Sequence, residues 1–187
     1  MEYLWLSLVF LTGACVGSFL NVCIYRIPRG KSVVFPSSYC PSCANTLRFV
    51  DLIPLISYLA LNRKCRYCGC KISPRYPTVE LVTGLLFVLA VTKYGLTLAA
   101  LRAVVLFSLL IPAALIDLKY KIIPDKLNLA GVILGIPLIV ESKEVFFSGV
   151  TGFLAGGGLL LLIAVVSRGG MGGGDIKLAA VMGLLLG

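Results

Sequence analysis

Long apolar runs constrain this 187-residue chain more than any other feature. Hydrophobic residues make up 59% of it and charged residues 13%, whereas a soluble domain is about half apolar and about a quarter charged. The core must therefore be built largely against lipid. We predict an all-α polytopic membrane protein, a helical bundle of about six membrane segments, and its apolar runs are residues 1–24, 79–91, 96–116, 127–140, 145–166 and 176–186.

The runs divide the chain into three parts. Residues 1–26 are predicted to form the first transmembrane helix, residues 27–77 a small cytoplasmic domain, and residues 78–187 a second transmembrane part. A spanning helix needs about 20 apolar residues, so the second and fourth runs are marginal unless their flanks extend them. The last run covers about half a membrane and stops at Gly187 in mid-pattern, so we expect that the chain is truncated there or that something else completes the helix.

Basic residues are concentrated between the apolar runs. Segments 26–76, 117–126 and 168–177 hold 14 of the 17 Lys and Arg residues, and the positive-inside rule places such segments in the cytoplasm. The net charge of +9 could favour nucleic acid. Because the charges lie beside apolar runs, they instead indicate contact with anionic lipid, and we expect no nucleic-acid partner.

Two aspartates stand at the edges of apolar runs. The chain has no His, so acid–base chemistry must come from carboxylates, Cys, Lys or Tyr. Asp117 ends one run and Asp175 begins another, both on the predicted cytoplasmic side. Two adjacent carboxylates share a proton, so one can polarise a carbonyl while the other takes a proton from water. Asp117 and Asp175 are therefore candidate catalytic residues.

A structural role is the alternative for each acid. Asp175 could cap the following helix, since Asp is a preferred N-cap residue and suits the positive end of the helix dipole. Asp117 is harder to explain in this way, because a negative charge is unfavourable near a helix C-terminus. An ionisable residue in an apolar segment is also a functional candidate by default. Asp125, after Pro124, is a secondary candidate that could cap a helix.

Four further residues are candidate substrate-binding residues. The glycine-rich segment 168–175 could be a flexible linker, or Gly172 and Gly174 could let an extended peptide approach the main chain beside the acid. Glu80 could complement a helix dipole, or it could contact a substrate. Lys177 is also assigned to substrate binding.

Two Cys-x-x-Cys pairs lie in the proline-rich segment between the first two membrane runs, with 21 residues between them. Four thiolates at this spacing can close a tetrahedral structural zinc site. A segment this short needs such a staple in place of a core. A redox pair or free thiols are the alternatives, and Cys70 is a spare thiol that could compete with one ligand. The predicted metal ligands are Cys40, Cys43, Cys65 and Cys68.

In their order along the chain, these motifs resemble the type IV prepilin peptidases, relatives in mechanism of the GxGD membrane aspartyl proteases. The resemblance covers nearly the whole chain. It is carried by Gly17-Ser18-Phe19-Leu20-Asn21-Val22, Tyr25-Arg26-Ile27-Pro28, the two cysteine pairs, Ser73-Pro74-Arg75-Tyr76-Pro77-Thr78-Val79-Glu80, Ile116-Asp117, Pro124-Asp125 and Gly172-Gly173-Gly174-Asp175.

The resemblance implies a membrane aspartyl endopeptidase in the bacterial inner membrane, with Asp117 and Asp175 as the catalytic pair and residues 78–187 as the peptidase domain. The substrates would be type IV prepilins or pseudopilins, cut after their basic leader at the cytoplasmic face. N-methylation of the new N-terminus with S-adenosylmethionine is implied as a second activity, and Glu80 could contact the substrate amine or the methyl donor. The alternatives are a non-enzymatic, zinc-anchored membrane adaptor and a membrane thiol oxidoreductase.

Overall fold

The computed structural model describes residues 2–167 and 170–187, with side chains from residue 4 onward. Over these residues the chain is helical, with short 3-10 turns at Ile27–Arg29 and Phe49–Leu52 and no β-strand, so the predicted all-α class is confirmed. The helices are α1 (Glu2–Arg26), α2 (Ile56–Ala60), α3 (Arg75–Tyr94), α4 (Leu98–Tyr120), α5 (Asp125–Ile139), α6 (Lys143–Val166) and α7 (Gly173–Leu186).

Over the described residues, each predicted membrane run overlaps one of the six longer helices, and only residues 96, 97 and 140 of the runs lie outside them. Among the described residues, α1, α3, α4 and α6 are long and apolar enough to cross a membrane, which makes this a multi-pass membrane protein. The second run reaches this length because α3 begins at Arg75, before the run itself, and therefore includes the last three residues of the predicted 27–77 segment. By contrast, α5 has 15 residues and α7 has 14.

The chain forms two compact units: unit 1 is Met1–Leu89 and unit 2 is Ala90–Gly187. In unit 1, glycines bring α1 and α3 close together. A Cβ atom on Gly13 would lie 2.8 Å from Cα of Gly84, and one on Gly17 would lie 2.8 Å from Cα of Glu80. Small residues four apart are typical of helix pairs in membranes, where close backbone approach replaces the hydrophobic effect as the source of stability.

Two polar residues near the end of α1, Asn21 and Arg26, make hydrogen bonds that stabilise unit 1. Asn21, which is 1% exposed, donates from Nδ2 to the carbonyl of Tyr76 over 3.1 Å. Arg26, which is 4% exposed, donates from its guanidinium to three carbonyls in the loop after α1, over 2.8–3.1 Å. A buried charge is tolerated only when it is fully hydrogen-bonded, so Arg26 fixes the path of this loop.

In unit 2, α4 and α5 form a hairpin joined by only four residues, 121–124. Lys121 takes the left-handed conformation with φ of 56° and donates from its N–H to the carbonyl of Asp117 over 2.8 Å, which ends α4. A cluster from α4 and α7 builds the core, formed by Leu106, Leu109, Val181 and Leu185. Close packing of α6 on α7 again uses glycine, since a Cβ atom on Gly152 would overlap the carbonyl of Gly183.

Candidate metal centre and candidate acidic site

The first cysteine pair lies in a tight turn closed by backbone hydrogen bonds. Ala44 donates to the carbonyl of Cys40 over 2.8 Å, and the N–H of Cys40 donates to the carbonyl of Asn45 over 2.9 Å. Ala44 takes a φ of 58°. This turn directs its two thiols to the same side, as a metal-binding knuckle requires.

The second pair repeats this turn. Gly69, with φ of 69°, donates to the carbonyl of Cys65 over 2.9 Å, and the N–H of Cys65 donates to the carbonyl of Cys70 over 2.8 Å. The sulfur atoms of the four predicted ligands all lie within 4.8 Å of one another. Cys40 and Cys65 are buried, Cys43 is half-buried and Cys68 is exposed. The structure therefore brings together the whole predicted cluster as a possible metal site.

The chemistry of this donor set fits zinc. Burial raises the pKa of Cys40, but hydrogen bonds from the backbone N–H groups of Cys43 and Ser42, together with those from the thiols of Cys65 and Cys43, lower the pKa to about 6. The thiolate, which is the form that binds metal, is thereby favoured at neutral pH. Four thiolates leave no coordination position open for water, so a zinc ion here would have a structural role.

Asp51 stabilises the cysteine segment through an ion pair that sequence reasoning missed. Its side chain is 2% exposed and accepts from Nε and Nη2 of Arg66, each over 2.8 Å. Arg66 lies inside the second cysteine pair, so this ion pair joins the cysteine turn to the 3-10 turn at Phe49–Leu52. No local sequence pattern predicts this ion pair, because Asp51 and Arg66 are 15 residues apart.

Glu80 lies on α3 and binds backbone within unit 1. It is 8% exposed, and its Oε2 accepts from the N–H of Leu55 over 2.8 Å. Leu55 takes a φ of 62°, so the carboxylate holds a strained turn just before α2. Because α3 begins at Arg75, Glu80 lies beyond its first turn, and the dipole-capping alternative does not describe it.

The two candidate catalytic aspartates lie near helix ends in unit 2. Asp117 is half-buried in the last turn of α4, next to Ile116, which is 0% exposed. Asp175 is exposed and is the third residue of α7. Gly172 holds the N-cap position, so Asp175 is not the N-cap residue; it lies in the first turn of α7, where the positive end of the helix dipole favours a carboxylate. Its backbone N–H donates to the carbonyl of Gly172 over 3.1 Å.

The glycines before Asp175 differ in what surrounds them. A Cβ atom on Gly172 would lie 2.9 Å from Oδ2 of Asp175, so glycine lets this carboxylate approach the main chain. A Cβ atom on Gly174 would lie 2.9 Å from both Cβ and the carbonyl oxygen of Ile123. Only Gly173 of the three has open space around it, with no described atom within 4 Å of an added Cβ.

Two side-chain contacts join the start of α5 to the start of α7. Lys177, predicted to bind substrate, forms an ion pair of 2.7 Å between its Nζ and Oδ1 of Asp125. Asn128, 5% exposed, donates from Nδ2 to the carbonyl of Gly174 over 3.4 Å. Sequence reasoning missed Asn128, although an amide within an apolar run is a usable signal for a buried polar contact.

One end of unit 2 therefore carries all three candidate acids. The four-residue link places the end of α4 beside the start of α5, and the contact between Ile123 and Gly174 places the start of α7 there as well. Asp117, Asp125 and Asp175 lie on these three helix ends. This arrangement provides several carboxylates beside a glycine-rich turn, and carboxylates are groups that can act as general acids and bases.

The fold and the site define a class: a helical membrane protein with a four-cysteine cluster that could hold a metal ion and with three carboxylates at one end of a helical unit. Comparisons with known proteins define the family. The family model for the bacterial peptidase A24 N-terminal domain matches residues 11–94, and that for the type IV leader peptidase family matches residues 104–187. The chain belongs to the type IV leader peptidase family, as the motifs predicted. No solved structure matches it.

Several curated relatives carry the name prepilin leader peptidase/N-methyltransferase. The Myxococcus xanthus protein is 42% identical over 184 residues, which covers 95% of this chain and 55% of the relative. The Bacillus subtilis protein is 40% identical, covering 97% and 74%. The Klebsiella pneumoniae protein is 37% identical, covering 99% and 86%. The chain thus spans little more than half the length of the first relative.

Proposed function

We propose that this chain is a membrane aspartyl endopeptidase that removes the basic leader of type IV prepilins and pseudopilins. The observation that carries the proposal is the meeting of the α4 end with Asp117 and the α7 start with Asp175 at one end of unit 2. Family membership and the relatives' shared name support the same reaction.

The two aspartates divide the chemistry of peptide hydrolysis. Two carboxyl groups that approach each other share one proton. The protonated group polarises the scissile carbonyl, and the ionised group takes a proton from the attacking water. Asp117 and Asp175 act as a unit in this scheme, so removing either one abolishes the reaction.

The peptide binds in extended form along the glycine turn. The open space around Gly173 and the exposed carboxylate of Asp175 leave room for a main chain there. Lys177 is 56% exposed, so its ammonium can reach an acidic substrate side chain in spite of its pairing with Asp125. Glu80 is kept as a substrate-binding candidate by the family resemblance, whereas its contact with Leu55 favours a structural role.

The active site faces the cytoplasm from the bacterial inner membrane. Asp117 and Asp175 lie in two of the three basic segments, 117–126 and 168–177, and the positive-inside rule places such segments in the cytoplasm. Only three Lys and Arg residues lie outside the three segments. Lys and Arg beside these helix ends would bind anionic lipid.

A second activity, N-methylation of the trimmed substrate, is supported by the relatives' name. When bound, S-adenosylmethionine would supply the methyl group.

We propose zinc as the metal held by Cys40, Cys43, Cys65 and Cys68, where it fixes the fold of the 27–77 segment.

The test is leader cleavage by membranes that contain the chain, measured by mass spectrometry on a prepilin substrate. Asp117→Ala and Asp175→Ala should each lower the cleavage rate by roughly 10³-fold or more at equal protein level. Glu144→Gln, an exposed acid at the far end of α6 from the glycine turn, should cleave at the wild-type rate. Normal cleavage by either Asp variant would contradict the proposal and favour the adaptor alternative.

A further inference from the structure

A fifth thiol lies against the four-cysteine cluster. The sulfur of Cys70 is 3.2 Å from that of Cys68 and 3.7 Å from that of Cys40. Cys70 is half-buried, whereas Cys68 is exposed. Cys70 lies in the turn between α2 and α3, outside the apolar helices. Its contacts with two of the cluster sulfurs therefore direct attention to metal binding.

The backbone of the second turn fixes the position of Cys70 beside the cluster. The carbonyl of Cys70 accepts from Cys65 over 2.8 Å, just as the carbonyl of Asn45 accepts from Cys40 over 2.9 Å in the first turn. Cys70 and Asn45 thus occupy equivalent positions in two matching turns. At this position the second turn carries a thiol where the first carries an amide.

The sulfur–sulfur distances decide what Cys70 can do. A zinc–sulfur bond of about 2.3 Å in a tetrahedral site gives an edge of about 3.8 Å between two sulfur ligands. The distance from Cys40 is 3.9 Å to Cys68 and 3.7 Å to Cys70, so either thiol suits that edge. The distance of 3.2 Å between Cys68 and Cys70 is too short for an edge, so the two suit one coordination position rather than two.

We propose that Cys70 is an exchangeable ligand of the metal centre, able to replace Cys68. This inference rests on the proposed metal centre. Cys68 is the exposed member of the four, so solvent reaches it first. When its sulfur leaves the ion, the sulfur of Cys70 enters the same position, and the site keeps four thiolates and its metal.

The experiment uses the full-length chain purified in detergent, with two readouts. The first is zinc content by elemental mass spectrometry for Cys68→Ser, Cys70→Ser, Cys68→Ser/Cys70→Ser and Cys43→Ser. The second is the thiolate-to-metal charge-transfer absorption after reconstitution with Co²⁺, which grows with the number of thiolate ligands. Cys15→Ser, an exposed cysteine of α1, is the matched control and should equal the wild type in both.

We expect about one zinc per chain in Cys68→Ser and in Cys70→Ser, each with the charge-transfer intensity of the wild type. The double variant and Cys43→Ser should hold zinc at least about tenfold more weakly in competition with a chelator.

Two results would overturn the exchange. One is loss of zinc from Cys68→Ser as complete as from Cys43→Ser. The other is retention with roughly three-quarters of the wild-type intensity, which indicates three thiolates. A wild-type chain that takes up no metal would overturn the metal centre itself.

Discussion

Arg26 and Glu80 in unit 1 are 4% and 8% exposed, whereas the side chains of Asp125 and Lys177 in unit 2 are 73% and 56% exposed. The buried groups bind backbone: Arg26 donates to three carbonyls and Glu80 accepts from Leu55. The exposed groups, with Asp175, stand at helix ends open to solvent. The two buried ionisable residues therefore hold the fold of unit 1, whereas Asp125, Asp175 and Lys177 of unit 2 remain accessible to solvent.

The largest effect on stability is expected when Arg26, a buried ionisable residue of unit 1, is removed. Arg26→Ala removes the donor to three carbonyls and deletes a buried side chain, so we expect a loss of about 2–4 kcal/mol in the stability of unit 1. Limited proteolysis of the segment after α1 and the thermal unfolding midpoint in detergent measure it. Arg29→Ala, three residues on and exposed, should change stability by less than about 1 kcal/mol. Equal effects of the two variants would remove the distinction.

Variants of Glu80 distinguish a structural role of this carboxylate from a role in substrate binding. Glu80→Ala should cost about 1–3 kcal/mol, because the N–H of Leu55 loses its acceptor. Glu80→Gln keeps an acceptor oxygen and should restore most of that stability together with cleavage. Thermal unfolding and the cleavage rate are measured on the same preparations. A Gln variant with wild-type stability that no longer cleaves or methylates would assign Glu80 to the substrate.

The smallest effect on stability is expected at the exposed ion pair of unit 2. Lys177→Ala and Asp125→Ala should each cost about 0–1 kcal/mol. If Lys177 binds an acidic residue of the substrate, Lys177→Ala raises KM severalfold with little change in kcat, whereas Asp125→Ala does not raise it. Steady-state kinetics on a prepilin substrate give both constants. Identical kinetics for the two variants would reduce Lys177 to a partner of Asp125.

Local patterns in the sequence were sufficient for the helices and the cysteine cluster. Run length and hydropathy located the longer helices, and the Cys-x-x-Cys spacing predicted a site whose four sulfurs meet within 4.8 Å. The start of α3 at Arg75 was missed because Pro77 was read as a boundary, although proline is tolerated in the first turn of a helix.

The contacts that build the site depend on residues far apart in the chain, and the sequence does not announce them. Asn128 and Gly174 are 46 residues apart, and Leu55 and Glu80 are 25 apart. Neither pair follows from helical periodicity, which specifies neighbours three or four residues away. The helices are also apolar on most sides, so the pattern does not say which face meets which helix.

The central claim is that Asp117 and Asp175 act as one catalytic pair. The most direct measurement is the rate of leader cleavage by Asp117→Asn, Asp175→Asn and the double variant, at equal protein level and metal content. Residues that act as a unit are not additive, so the double variant should be no slower than the slower single variant. Additive losses, or a single variant that still cleaves at the wild-type rate, would contradict the account.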